Sequence, residues 1–138
     1  MLDENEVMEA VSFYLLERGY AILQESATDR RGVDIVAYHP ESKAKIFVSV
    51  AGIARSKAGR GKLEAAYTES QVLRSVARGI YSAMKMRTPD HFIPGDQIAI
   101  GFSDTPTFRK YLEAEKPVMD SFGIKIFLVS DAKKITVL

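Results

Sequence analysis

Residues 97–129 constrain the fold more than any other part of this chain. A β-rich run at 97–102 (Gln-Ile-Ala-Ile-Gly-Phe) leads to an amphipathic segment from Pro106 to Phe122, and then to a second β-rich run at 124–129 (Ile-Lys-Ile-Phe-Leu-Val). Thr105 and Pro106 suit the N-cap and first helical position, while Pro117 should kink or split the helix. Strand, helix, strand in this order implies two parallel strands joined by a right-handed crossover, and with them an α/β sheet.

Upstream, apolar residues recur at Val7, Val11 and Tyr14/Leu15, predicting a helix over 3–18 with acids in its first turn and Gly19 at its end. Three β-rich stretches follow at 20–25, 33–38 and 45–51. The turn His39-Pro40-Glu41-Ser42 predicts a hairpin between the last two. A long helix is expected from Gly61 to Arg87, with Leu63, Tyr67, Leu73, Ala77, Ile80 and Met84 on one apolar face and Gly79 as a weak point. Pro89, Pro94 and Gly95 mark a loop, and a strand at 134–138 comes last. With 138 residues, 46% of them hydrophobic, the reading is one α/β domain over 1–138 built on a mixed sheet.

Composition narrows the chemistry. No cysteine and two histidines exclude disulfide scaffolds, thiolate zinc sites, iron–sulfur clusters and thiol nucleophiles. Oxygen-ligand chemistry with Mg²⁺ or Mn²⁺ is what carboxylates can still support. Nineteen Lys plus Arg against eighteen Asp plus Glu give no overall electrostatic footprint, so local charge must decide the partner. Asp3, Glu4, Glu6 and Glu9 stand where a leader would be basic, and no apolar run is long enough to span a bilayer. The expectation is a cytoplasmic protein with no membrane partner.

The order helix, strand, strand with an aspartate, hairpin, strand, long helix, strand, helix, strand resembles the PD-(D/E)XK nuclease superfamily. Gly19-Tyr20, then Gly32-Val33-Asp34-Ile35-Val36-Ala37, then Ile46-Phe47-Val48-Ser49-Val50-Ala51-Gly52 are similar to its archaeal Holliday-junction-resolvase-like branch. The resemblance covers roughly residues 6–87. It implies a three-layer α/β/α restriction-endonuclease-like fold with a central mixed sheet. It also implies a site with an aspartate in the second strand and a glutamate and lysine two residues apart in the third. Residues i and i+2 of a strand share a face, so that acid and lysine project together toward the aspartate across the hairpin. Carboxylates would hold Mg²⁺ or Mn²⁺, and the lysine would polarise the nucleophile.

Asp34 matches the aspartate, but Ser49 stands in place of the acid and Ala51 in place of the lysine. Asp34 is then the only metal ligand left, and no cofactor is expected unless activity survives. Family members often place a glutamate in the first helix; Glu6 and Glu9 are near but fall out of register. Some members move the strand acid to the following helix, which makes Glu64 a candidate migrated acid, with Lys57 or Lys62 as a displaced lysine. Glu64 can equally be a first-turn acid favoured by the helix dipole, and Asp34 can cap a turn or pair with Arg30 or Arg31.

Residues 52–62 hold Arg55, Lys57, Arg60 and Lys62 among glycines, with no acid. Phosphate binding and simple solvation both account for such a run. Arg30, Arg31, Gln71, Arg74, Arg78 and Lys85 could extend a nucleic-acid-binding surface. Four phosphate contacts would give a salt slope of roughly −3.6. The segment fails as a phosphate-binding P-loop, since Leu63 follows Gly61-Lys62 and Ser56 replaces the leading glycine, and it fits no dinucleotide fingerprint. His39 and His91 read as surface residues. Ser103-Asp104-Thr105-Pro106 could bind an anion or only cap a helix. The last strand could pair with a second copy, giving a homodimer.

Three functions follow. The first is a catalytically degenerate nuclease-fold protein that binds DNA or RNA through the basic loop without cleaving it. The second is an active Mg²⁺- or Mn²⁺-dependent endonuclease using Glu64 with Lys57 or Lys62. The third is a protein-interaction or dimeric scaffold module. An occluded, apolar site around Ser49 and Ala51 would favour the third, and an open basic cleft the first.

Overall fold

The computed structural model describes residues 1–25, 33–52, 68–87 and 92–138. The elements are α1 (Glu4–Glu17), β1 (Ala21–Glu25), β2 (Ile35–Tyr38), β3 (Lys45–Val50), α2 (Glu69–Met86), β4 (Gln97–Ser103), α3 (Pro106–Ser121), β5 (Ile124–Val129) and β6 (Ile135–Val137). The six strands form one sheet in the order β1-β2-β3-β4-β5-β6. β1–β2, β2–β3 and β5–β6 are antiparallel, whereas β3–β4 and β4–β5 are parallel. The sheet is mixed and flanked by helices, with the hairpin and the strand-helix-strand unit where the sequence places them.

Two apolar cores lie on the two faces. On one, Val7, Val11 and Leu15 of α1 pack over Ile35, Ile46, Val48 and Phe127. On the other, Val72, Val76 and Ala83 of α2 and Phe108, Leu112 and Met119 of α3 pack over Phe47, Ala51, Ile98, Ile100, Phe102 and Leu128. The parallel strands β4 and β5 are buried on both sides, as crossover connections require.

α1 begins where Asp3 and Glu6 cap it reciprocally, and Gly19 follows it at φ 88°. α2 departs from expectation twice. Thr68 is extended (φ −110°, ψ 157°) and caps the helix, so α2 starts at Glu69, and no single helix runs from 61 to 87. Its buried side is also not the apolar face named above. Leu73 and Met84 are exposed, and the sheet instead meets Val72, Ser75, Val76, Gly79, Ser82 and Ala83. Small residues let the helix sit close. A Cβ on Gly79 would lie 3.0 Å from Ile100 and Phe102 side-chain atoms and 3.2 Å from the Ala51 Cβ, so Gly79 is what permits this packing. α3 runs unbroken from Pro106 to Ser121 through Pro117, so the expected split does not occur. Pro117 is exposed, which leaves room for its ring. No helix among the described residues is long and apolar enough to cross a membrane.

Candidate functional site

The hairpin brings Asp34, just before β2, up to β3. Ile35 pairs with Val48 in an antiparallel register, and the Asp34 N–H also reaches the Val48 carbonyl. Ser49 shares parity with Phe47 and Ala51, so it lies on the face toward α2 and α3. Phe47 and Ala51 belong to that core.

One oxygen of the Asp34 carboxylate bonds the backbone. Its Oδ2 accepts the Val50 N–H at 2.6 Å, while the Asp34 N–H donates to the Val48 carbonyl at 2.9 Å. Val50 directs its amide toward β2 just beyond the first paired residue of that strand. The side chain of Asp34 therefore takes the place of a missing backbone acceptor.

Positions 49 and 51 are closed. Ser49 is 3% exposed and Ala51 2%. The Ala51 amide donates to the Gly101 carbonyl at 3.0 Å, and its Cβ faces α2 at Gly79. A lysine at 51 would start against the helix backbone, and a glutamate at 49 would be buried under it. Among the described residues no group of three or more His, Cys, Asp or Glu side chains converges as metal ligands do. The described donors around Asp34 do not fit a hard divalent cation, which takes six or more oxygens from carboxylates, carbonyls and water.

The sequence reading missed Glu4. It is the first residue of α1, and a Cβ on Gly52 would lie 3.3 Å from its Cγ, at the carboxyl end of β3. Arg78 joins it there, donating to Glu4 Oε1 and to the Gly52 carbonyl, both at 2.9 Å. Ser75 Oγ donates to the same carbonyl at 3.0 Å. Arg78 thus locks α1, β3 and α2 together. Glu6, considered above as the first-helix acid, serves the capping box, and Glu9 lines a groove beside Phe13 and Lys133. No periodicity points to Glu4, because its place is set by how α1 crosses the end of β3.

Of the proposed nucleic-acid contacts, Arg74 is exposed on α2, with no side-chain hydrogen bond or ion pair among the described residues. Gln71 accepts the Thr68 N–H at 2.8 Å through Oε1, completing the α2 cap. Lys85 stacks over Tyr81 at 4.9 Å. Arg30, Arg31, Arg55, Lys57, Arg60, Lys62, Glu64 and His91 lie outside the described residues.

The remaining candidates serve the fold. His39 Nδ1 accepts the Glu41 N–H at 3.2 Å inside the hairpin turn, and its ring meets Tyr20 edge-on at 5.0 Å. Thr105 caps α3, and the Asp104 carboxylate takes two hydrogen bonds from Arg109, at 2.6 and 2.8 Å, which raises the Arg109 pKa. Where α2 and α3 begin, Lys110 and the Tyr111 hydroxyl both donate to Glu69 Oε1 at 2.6 Å. Together they hold the Glu69 carboxyl below its usual range.

No family model matches the chain, and no curated protein matches it. Among solved structures it is similar to an XisH family protein from Nostoc punctiforme. The TM-score is 0.54 at 17% identity, covering 95% of this chain and 96% of that one. At that identity the likeness establishes the fold, which is consistent with the restriction-endonuclease-like architecture.

Proposed function

We propose that this chain is a catalytically degenerate nuclease-fold protein that binds DNA or RNA through the cations of residues 55–62, together with Arg74 of α2, and does not cleave it. The observation that carries the loss of cleavage is the burial of Ser49 and Ala51 beneath α2, opposite a carboxylate already bonded to the Val50 amide. Hydrolysis of a phosphodiester needs an open, water-accessible metal site, and this one is filled by the helix. The binding half of the proposal rests on four cations within eight residues and no acid among them.

Fluorescence anisotropy with labelled duplex, branched and single-stranded DNA and RNA tests it. Affinity should fall on the order of a hundredfold from 50 to 200 mM salt, and reversing the charges of Arg55, Lys57, Arg60 and Lys62 should abolish binding. Absence of binding at low salt, with charge reversal changing nothing, overturns it. Cleavage in Mg²⁺ or Mn²⁺ that is lost in Asp34→Ala and Glu64→Ala would instead establish the displaced-ligand endonuclease.

A second reading, an interaction module, is favoured by that same occluded site. Leu73, Tyr81 and Met84 add an exposed apolar stripe along α2. Large apolar side chains aligned on a solvent-facing helix mark protein-binding surfaces more often than nucleic-acid ones. Under this reading, Leu73→Asp with Met84→Asp changes partner capture and leaves nucleic-acid anisotropy at background.

A further inference from the structure

The sheet ends in two outer strands that differ in kind. β1 carries a register irregularity between Ile22 and Gln24, the sort of bulge that spoils an edge for further pairing. β6 pairs regularly, with Val137, Thr136 and Ile135 opposite Phe127, Leu128 and Val129. In this register the Leu138 N–H donates to the Ile126 carbonyl at 3.0 Å and the Ser130 N–H to the Lys134 carbonyl at 2.9 Å. The even-numbered residues of β6 are therefore its hydrogen-bonded positions. By alternation, the amides and carbonyls of Ile135 and Val137 point away from β5, along an open edge.

The surface beside that edge is apolar. A groove of about 610 Å³ runs between α1 and β6, lined in part by Phe13 and Ile135. Phe13 is 63% exposed, and Val137, on the same face of β6 as Ile135, is 47% exposed. Apolar surface thus continues from α1 to the outermost strand. The groove carries Glu9, Glu17 and Arg18 on its helix wall and Lys133 and Lys134 on its strand wall.

We infer that β6 pairs antiparallel with β6 of a second copy, about a two-fold axis perpendicular to the sheet, making one continuous sheet through both molecules. Such a contact is isologous, so the outward groups of Ile135 in each copy meet those of Val137 in the other. The rim carries charges of both signs, so a second copy can set its acids against these cations. A three-residue ladder alone falls far short of the roughly 800 Å² that each partner buries in a stable specific interface. The strip from Phe13 to Val137 supplies the remainder, and Phe13 is covered in the dimer. The inference is independent of nucleic-acid binding.

Sedimentation equilibrium or light scattering on the full chain tests it, with twice the 15.3 kDa chain mass expected at high concentration and dissociation on dilution. Val137→Pro removes one outward amide per copy and no bond to β5, so it should weaken dimerisation about tenfold or more. Phe13→Asp, at an exposed position, should weaken it without disturbing the fold, and thermal melting followed by circular dichroism verifies this. Leu23→Asp on the β1 side should leave the mass unchanged. A monomer at every concentration overturns the inference. So does a dimer insensitive to Phe13→Asp, or one lost in Leu23→Asp.

Discussion

Replacing Gly79 by alanine tests the packing that closes the site, because two effects of opposite sign meet there. In an exposed helix the change stabilises by about 1 kcal/mol, from alanine's higher helix propensity. At Gly79 the new methyl would stand 3.0 Å from Ile100 Cγ2, 3.0 Å from Phe102 Cζ and 3.2 Å from Ala51 Cβ. Ile100 and Phe102 are fully buried, and the Ala51 backbone is pinned to Gly101, so none of the three can yield cheaply. Overpacking of this kind costs about 1–3 kcal/mol, which leaves a net destabilisation of about 1 kcal/mol. Urea unfolding measures it. With a slope of about 2 kcal/mol/M for a chain of this size, the midpoint should fall by about 0.5 M. Ala77→Gly on the exposed side of the same helix gives the propensity contribution separately. A midpoint for Gly79→Ala at or above that of the unsubstituted protein would refute the close approach of α2, and with it the argument that positions 49 and 51 are sealed.

Restoring the family motif with Ser49→Glu and Ala51→Lys together should destabilise by about 3 kcal/mol or more and yield no Mg²⁺-dependent cleavage, since both groups enter a buried layer. A stable, cleaving variant would show the site to be open. Pro117→Ala should raise the melting temperature by several degrees, because an interior helical proline costs about 3 kcal/mol relative to alanine and its stiffening of the unfolded chain recovers only about 1. An unchanged melting temperature would count against the continuous helix. Glu69, whose pKa is lowered by Lys110 and Tyr111, stabilises fully above its unfolded pKa and loses that contribution as pH falls through the folded one. Glu69→Gln should therefore flatten the acid limb of a stability-against-pH curve, and an identical limb in the variant would exclude the linkage.

Much of the architecture was legible because strands and turns carry strong local signals. The β-rich runs at 97–102 and 124–129, with Thr105-Pro106 between them, gave the parallel unit, and His39-Pro40 located the hairpin. The approach of Asp34 to β3 follows from that hairpin. α2 was misread for a physical reason. Counting large apolar residues selects Leu73, Ala77 and Met84, yet a helix that sits close to a sheet does so through serine, alanine and glycine. Ser75, Gly79 and Ser82 look like a solvent face in sequence, and only their contacts reveal them as the buried one. Glu4 was invisible for a different reason. Its place depends on where a helix end crosses a strand end, and no spacing along the chain encodes that.

The bond from the Val50 amide to Asp34 gives the aspartate a second occupation. A side chain that completes a hairpin is held by that duty whatever else its carboxylate does. Replacing it would leave a backbone amide unanswered inside the protein, whatever became of the chemistry. A solitary aspartate at such a position measures what the architecture needs, and activity has to be judged from the neighbours that were free to change.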